Sequence, residues 1–436
     1  MVALTHMVGR LRPAKILVVG DMIVDTYTIG KASRISPEAP VAVVNVQQQE
    51  HRPGGAGNVI LNLLSLGAEV IAAGRVGNDW EGRLFVETLQ REGVDIRMIL
   101  HQEGYPTAVK HRVVADGQQM VRVDREEVAP LPPHGEQEIL HSLPSLLEGV
   151  QAVAISDYGK GFLTPGLLAS LIRLANERHI PVITDPKGHD FTKYRGTTVI
   201  KPNLGEAFVA ASLPRTAPLD EVASRILQQT GARLLMVTRS EAGISLFHDT
   251  GARSDFPVHA KQVRDVTGAG DTVLAVLAYA MANALAYGEA AQLCNVAAGI
   301  AIERLGCARV SLSDLALQVF EEKARHKVFD EDHFFILETL LKHKSFIIID
   351  FSRVEHLSPA LFYVIKEKAA EAESLLVLME GARPDEGLVE MLASFQEISF
   401  ILVHAESVAR LCRKTMPLAA YVFDPVAARL TPLEFV

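Results

Sequence analysis

The chain has 436 residues, 48% of them hydrophobic and 22% charged, too long for one small domain and ordinary for a globular protein with a large core. Its net charge of −9 divides into −3 over residues 1–325 (32 Lys and Arg against 35 Asp and Glu) and −6 over 326–436 (11 against 17), so neither part carries the basic surplus of a nucleic-acid binder. Cys294, Cys307 and Cys412 lie far apart, which excludes a CxxC metal or redox pair and fits buried thiols in a reducing, cytoplasmic compartment.

No secretory leader is expected. The longest apolar run, Val273 to Tyr287, contains Asn283 and falls short of the roughly 18 residues of a membrane span.

Lys15–Gly20 is apolar, β-branched and closed by glycine, the pattern of a strand buried on both faces. Ligands of open α/β sheets bind beyond the carboxyl ends of strands, which puts Asp21 and Asp25 near a substrate. Asp21 reads as a turn residue and Asp25 as an acceptor for substrate hydroxyls. Pro40–Val46 is a second strand. The run Arg52-Pro53-Gly54-Gly55-Ala56-Gly57-Asn58 then leads into a helical pattern, its glycines allowing close approach of backbone to a ligand. A strand over Val70–Gly74 and a helix around Glu81–Glu92 follow. Between Thr107 and Asp124, short strands flank Asp116-Gly117, a favoured hairpin turn. This polar hairpin reads as a lid or a subunit contact, hence a homodimer. Its Lys110 and Arg112 either reach an anionic substrate or line a solvated edge.

From Gln151 strand and helix alternate regularly, predicting βαβ units and a parallel sheet. Strands Ala152–Ser156, Pro181–Thr184, Thr198–Lys201 and Leu234–Thr238 each stop at a polar, Gly-bearing loop, so four loops line one sheet edge. Lys187 in the second loop either neutralises phosphate or sits at the surface. Asn203 and Glu206, three apart at a helix start, suit water-coordinated Mg²⁺ or, on spacing equally, a capping box. Asn295, on a helix over Glu289–Glu303, is placed to face a nucleotide.

The chain is organised around Asp265-Val266-Thr267-Gly268-Ala269-Gly270-Asp271 and the apolar helix behind it. Two glycines allow a tight turn, and a helix start with bare N–H groups holds an anion. Asp271 on the first turn can take a proton from an attacking hydroxyl, the arrangement phosphoryl transfer to an alcohol requires. A plain helix cap is the alternative.

Gly54–Asn58 and Asp265–Asp271, with Asn203-x-x-Glu206 between them, resemble the signature regions of the ribokinase-like (phosphofructokinase-B) sugar kinases over roughly residues 10–320. The resemblance implies a three-layer α/β/α domain with a small β lid. It also implies Asp271 as catalytic base and Gly268, Ala269 and Gly270 as anion hole. Asn203 and Glu206 would organise Mg²⁺ and phosphates, and Asp25, Gly55 and Asn58 would hold the sugar. The runs Ser33–Val41, Ser156–Tyr158, Asp185–Gly188 and Thr238–Glu241 further resemble bacterial D-glycero-β-D-manno-heptose 7-phosphate kinases, although Thr26 stands where Arg is expected. The activity implied is ATP-dependent phosphorylation at C1, on the route to ADP-heptose and lipopolysaccharide. ATP is expected across Asn203–Glu206, Thr238–Gly243 (with Ser240) and Gly268–Gly270, and the sugar phosphate near Arg34, Lys110 and Lys187. A kinase for another sugar, or a non-catalytic sugar sensor, remains open.

Residues 326–436 read as a second small α/β domain, with strands Phe346–Asp350, Leu375–Met379 and Ile398–Val403 and helices Pro359–Ala372, Asp385–Ser394 and Glu406–Lys414. The run from Ile347 to Ser358 resembles a STAS domain, which would point to Ser358 as a modification site. A degenerate nucleotidyltransferase is the other reading. No His-x-Gly-His occurs, so this part is expected to bind a partner rather than to transfer nucleotides.

Overall fold

The computed structural model describes residues 3–257, 263–304, 306–323, 327–330, 334–342, 344–379, 385–403 and 408–433. The chain divides into two units at Leu315, within the helix Leu312–Lys323 and upstream of the expected boundary at 325.

The first unit is an α/β domain with a small β lid, as expected. Six parallel strands run in the order Leu234–Thr238, Val199–Ile200, Val182–Asp185, Ala152–Ser156, Lys15–Gly20 and Glu69–Gly77, and Asp95–Gln102 closes one edge in parallel. Ile244–His248 and Arg253–Phe256, an antiparallel pair not expected from the sequence, extend the other edge. Lys15–Gly20 lies between Ala152–Ser156 and Glu69–Gly77, and its Ile16, Leu17, Val18 and Val19 are fully buried. The order of strands reverses there, so a crevice opens beyond the carboxyl ends of Gly20 and Ser156.

The lid is a separate four-stranded sheet in the order Ala42–Gly55, Met22–Ile35, Ala108–Ala115, Gln118–Arg125. Asp116-Gly117 makes the expected hairpin turn, with both residues at positive φ. The strand expected over Pro40–Val46 runs on to Gly55, so Arg52–Gly55 belongs to the sheet rather than to a loop. Met22–Ile35 was not foreseen. It starts in the core, where Asp25 lies, and ends exposed at Arg34.

Helix Ala269–Ala282 is buried almost throughout and packs on Ala56–Ser65, on Tyr287–Ile302 and on the central strands. Among the described residues no helix is long and apolar enough to cross a membrane.

The second unit is a six-stranded sheet in the order Val328–Phe329, Phe400–Val403, Ser374–Met379, Phe346–Asp350, Ala419–Asp424, Arg429–Pro432, parallel except for the last strand. Ile347 and Ile349 pack into one apolar cluster, Phe346 and Ile348 into another, so both faces of the sheet are covered. The expected helices appear over Pro359–Ala369, Glu386–Ser394 and Val408–Thr415; residues 406–407 lie outside the described residues. Ser358 caps the first, its hydroxyl accepting from Leu361 N at 3.2 Å.

One junction ties lid to sheet. Asp79 caps helix Trp80–Arg91 through Gly82 N (2.8 Å) and accepts from Thr107 N (2.8 Å) and Thr107 Oγ1 (2.6 Å), while that hydroxyl accepts from Gly77 N (2.8 Å). Asp79→Ala removes the cap and leaves the buried Thr107 N–H without its acceptor, so chemical denaturation should report a loss of about 2–3 kcal/mol. Asp79→Asn, which retains an accepting oxygen, should lose less.

Candidate active site

Gly268 begins the central helix in the left-handed region, at φ +79°, and a Cβ there would lie 2.6 Å from Asn58 Nδ2. The preceding turn is pinned by Asp265, whose carboxylate accepts from Thr267 N (2.9 Å), Thr267 Oγ1 (2.7 Å) and Gly306 N (2.9 Å). The first-turn N–H groups of Gly270 and Asp271 have no acceptor within the helix and carry its positive dipole end, while Ala269 N donates to Val266 O at 3.3 Å. Gly270 is also the approach point of a charge that sequence reasoning missed. The nearest atoms to a Cβ built there are Lys201 Nζ at 3.9 Å and Asp185 Oδ2 at 4.0 Å. Lys201 is 2% exposed and pairs with Asp185 at 3.0 Å, so a buried ammonium lies beside the helix start. A lysine ending an otherwise apolar buried strand was the available signal.

Asp271 is 3% exposed. Tyr158 Oη donates to its Oδ1 at 2.6 Å and Asn58 Nδ2 to its Oδ2 at 3.0 Å. Burial raises its pKa to about 7; the two hydrogen bonds oppose that rise, and Asp185 and Asp25 add to it. A plain helix cap does not account for a carboxylate held this way. It makes no side-chain cap, and both oxygens receive donors from other elements. Asn58, expected to hold the sugar, directs its amide nitrogen at the Asp271 carboxylate.

Asp21 reads as more than a turn residue. Its Oδ2 accepts from Tyr158 N (2.8 Å) and Lys160 N (3.1 Å), which holds the loop presenting Tyr158. Burial and the neighbouring Asp157 push its pKa up to about 6.

Asp25 pairs with the Arg112 guanidinium from the lid, both side chains being buried. Its other oxygen accepts from the Cys307 thiol at 3.2 Å, and Gly54 leaves room for it where a Cβ would lie 1.9 Å away. Cys307 thus lies between Asp25 and Gly268 rather than in inert core, and burial pushes its pKa well up. Gly55 holds φ +55° at the start of helix Ala56–Ser65. Lys110 pairs in register with Asp25 and sits over the Tyr158 ring at 4.6 Å, where burial lowers its pKa. Arg34 is exposed towards the end of the same lid strand, nine residues beyond Asp25.

A second cluster gathers beside the helix start. Asn203 and Glu206 form a reciprocal capping box, with Glu206 N donating to Asn203 Oδ1 (2.9 Å) and Asn203 N to Glu206 Oε2 (3.0 Å). Lys187 pairs with Glu206 Oε1 at 2.8 Å, which places it with this cluster rather than with Asp25. Thr238 bridges to Asn203, and the turn from Ser240 to Gly243 follows, Ser240 at φ +50° and Gly243 at +79°. Gly243 lies against Phe256 O, and Asn295 donates its amide to the same carbonyl at 2.8 Å, so that nitrogen is committed to the backbone. Among the described residues no three His, Cys, Asp or Glu side chains converge as a metal cage. The hard oxygens of Asn203 and Glu206 fit an ion that keeps most of its waters.

The chain is similar to known proteins in sequence and in fold. The chain is 46% identical over 312 residues to the bifunctional protein HldE of Trichlorobacter lovleyi, covering 71% of this chain and 64% of that protein. It is 44% identical over 301 residues to that of Geobacter sulfurreducens, covering 69% and 61%. The chain therefore spans less than two thirds of the length of these relatives. Among solved structures, Escherichia coli phosphofructokinase-2 in complex with substrates and products aligns with a TM-score of 0.59 at 20% identity, covering 71% of this chain and 99% of that one. Arabidopsis thaliana ribokinase complexed with ribose and ATP aligns with a TM-score of 0.55 at 18% identity, covering 71% and 99%. The model of the pfkB family of carbohydrate kinases matches residues 13–314, and the chain belongs to that family.

Proposed function

We propose that this chain transfers the γ-phosphoryl group of ATP to the anomeric hydroxyl of D-glycero-β-D-manno-heptose 7-phosphate, giving the 1,7-bisphosphate for ADP-heptose and lipopolysaccharide synthesis in the cytoplasm. The observation that carries the reaction is the buried Asp271 carboxylate on the first turn of the central helix, beside Gly268, Ala269 and Gly270. The substrate reading is supported by the heptose-kinase-like runs and by the HldE relatives.

Asp271 takes the proton as the sugar oxygen bonds to phosphorus and the bond to ADP breaks. The helix start and Lys201 face the charge on the phosphoryl group in flight, where most of the rate enhancement is expected. Asp25, fixed by Arg112, receives sugar hydroxyls, and Lys110 offers charge to the sugar's own phosphate. Thr238, Ser240, Gly243 and Asn295 line the nucleotide side. Asn203 and Glu206 would hold Mg²⁺ through water, beside Lys187; the ion, when bound, neutralises phosphate charge. Apolar residues exposed on the lid, among them Val46, Met120, Val121 and Val123, favour a homodimer through that face. The second unit, in a sequence without His-x-Gly-His, is assigned to partner binding.

ATP consumption should be rapid with the heptose phosphate and absent with fructose 6-phosphate, fructose 1-phosphate, ribose and adenosine. Turnover with one of these instead would replace the substrate assignment. Asp271→Asn should abolish turnover while leaving ATP affinity within about twofold, read by calorimetry; equal loss of both would remove the base assignment.

A base must be ionised. With its pKa raised to about 7, kcat/KM should fall as pH drops through 7 rather than through 4. Tyr158→Phe removes a hydrogen bond that favours the ionised form, so this acid limb should move upward by about one pH unit.

A further inference from the structure

Asn62 plays no part in the transfer above, yet it is fully buried one turn along helix Ala56–Ser65 from Asn58. Its hydrogen bonds have a direction set at one end. The N–H of Val310 can only donate, so the atom facing it at 3.0 Å is Asn62 Oδ1. Asn62 Nδ2 is thereby turned toward Asn58, donating to its main-chain oxygen at 2.9 Å and to its Oδ1 at 3.1 Å. With its oxygen engaged, Asn58 presents Nδ2 to Asp271 Oδ2 at 3.0 Å and to Gly268 O at 3.4 Å. An amide is nearly symmetric in shape, so packing alone would accept Asn58 in either orientation. A flipped Asn58 would set an oxygen against the carboxylate.

We propose that Asn62 is a positioning residue that reads the fixed polarity of the Val310 N–H and so keeps a donor, not an acceptor, against the Asp271 carboxylate. This rests on Asp271 being the base. Asn62→Asp reverses the sequence of donors. The new carboxylate accepts from Val310 N and from Asn58 Nδ2, which turns the Asn58 oxygen onto Asp271. Asn62→Leu, similar in volume and uncharged, releases Asn58 without reversing it and carries the test if the buried charge prevents folding.

The measurement is the pH dependence of kcat/KM, with the KM for ATP and the melting temperature recorded alongside. The acid limb should rise by about one unit in Asn62→Asp and by less in Asn62→Leu, with the KM for ATP unchanged and the rate recovering at high pH. Asn58→Leu should shift the limb by itself, and adding the uncharged Asn62→Leu to it should shift it no further. A limb unmoved in folded Asn62→Asp or Asn62→Leu, or a shift that adds in the double variant, overturns the proposal. Asp271→Asn, run in parallel, separates the two failures. Persistent turnover there would discard the base assignment, whereas a dead enzyme with unmoved Asn62 limbs would discard only the role of Asn62.

Discussion

Burying the Asp271 carboxylate is unfavourable unless donors are aimed at it, and much of the kinase unit is arranged to aim them. Tyr158 arrives from the loop beyond Ala152–Ser156, Asn58 from the first turn of the helix that follows the lid, and the carboxylate itself from the start of the central helix. Three stretches separated by about a hundred residues or more must therefore agree to within hydrogen-bond distance. The crevice where the strand order reverses is the place where they can, because only there do loops from both halves of the sheet converge.

The charges around this carboxylate sort into two groups. On the lid side, Arg112 and Lys110 answer Asp25 and leave a buried pocket wall whose polarity is set by a strand that is half core and half solvent. On the sheet side, Lys201 answers Asp185 and Lys187 answers Glu206. The helix start lies between them. A carboxylate flanked by cationic pairs on two sides, yet itself in contact only with neutral donors, can keep a pKa near neutrality, where an adjacent guanidinium would hold it deprotonated far into acid.

Much of this was legible in the sequence. Strands buried on both faces read as unbroken apolar runs, so Lys15–Gly20, Ala152–Ser156 and Leu234–Thr238 were visible, as were the turns that end them. Glycines announced the helix start at Gly268 and the close approach at Gly54. What escaped had weaker local signals. Met22–Ile35 carries Asp25, Gly30, Lys31 and Arg34, which break any simple periodicity; its β-branched and aromatic content was the missed cue. The directions of Asn58, Lys187 and Asn295 depend on partners 19 to 213 positions away, which spacing does not reveal. The exposure of Arg34 follows from lid length, which the expected end of the strand at Val46 understated.

The placement of Lys15–Gly20 at the middle of its sheet also bears on synthesis. Its partner Ala152–Ser156 leaves the ribosome 136 residues later, by the register of Ile16 with Ala152, an interval on the order of ten seconds at ordinary elongation rates. During that time one of the most apolar strands in the protein has an unpaired edge. The nascent chain thus spends its early life with its future centre as an open template for wrong pairing, and the unit's yield in the cell is tied to whatever shields that strand until residue 156 emerges.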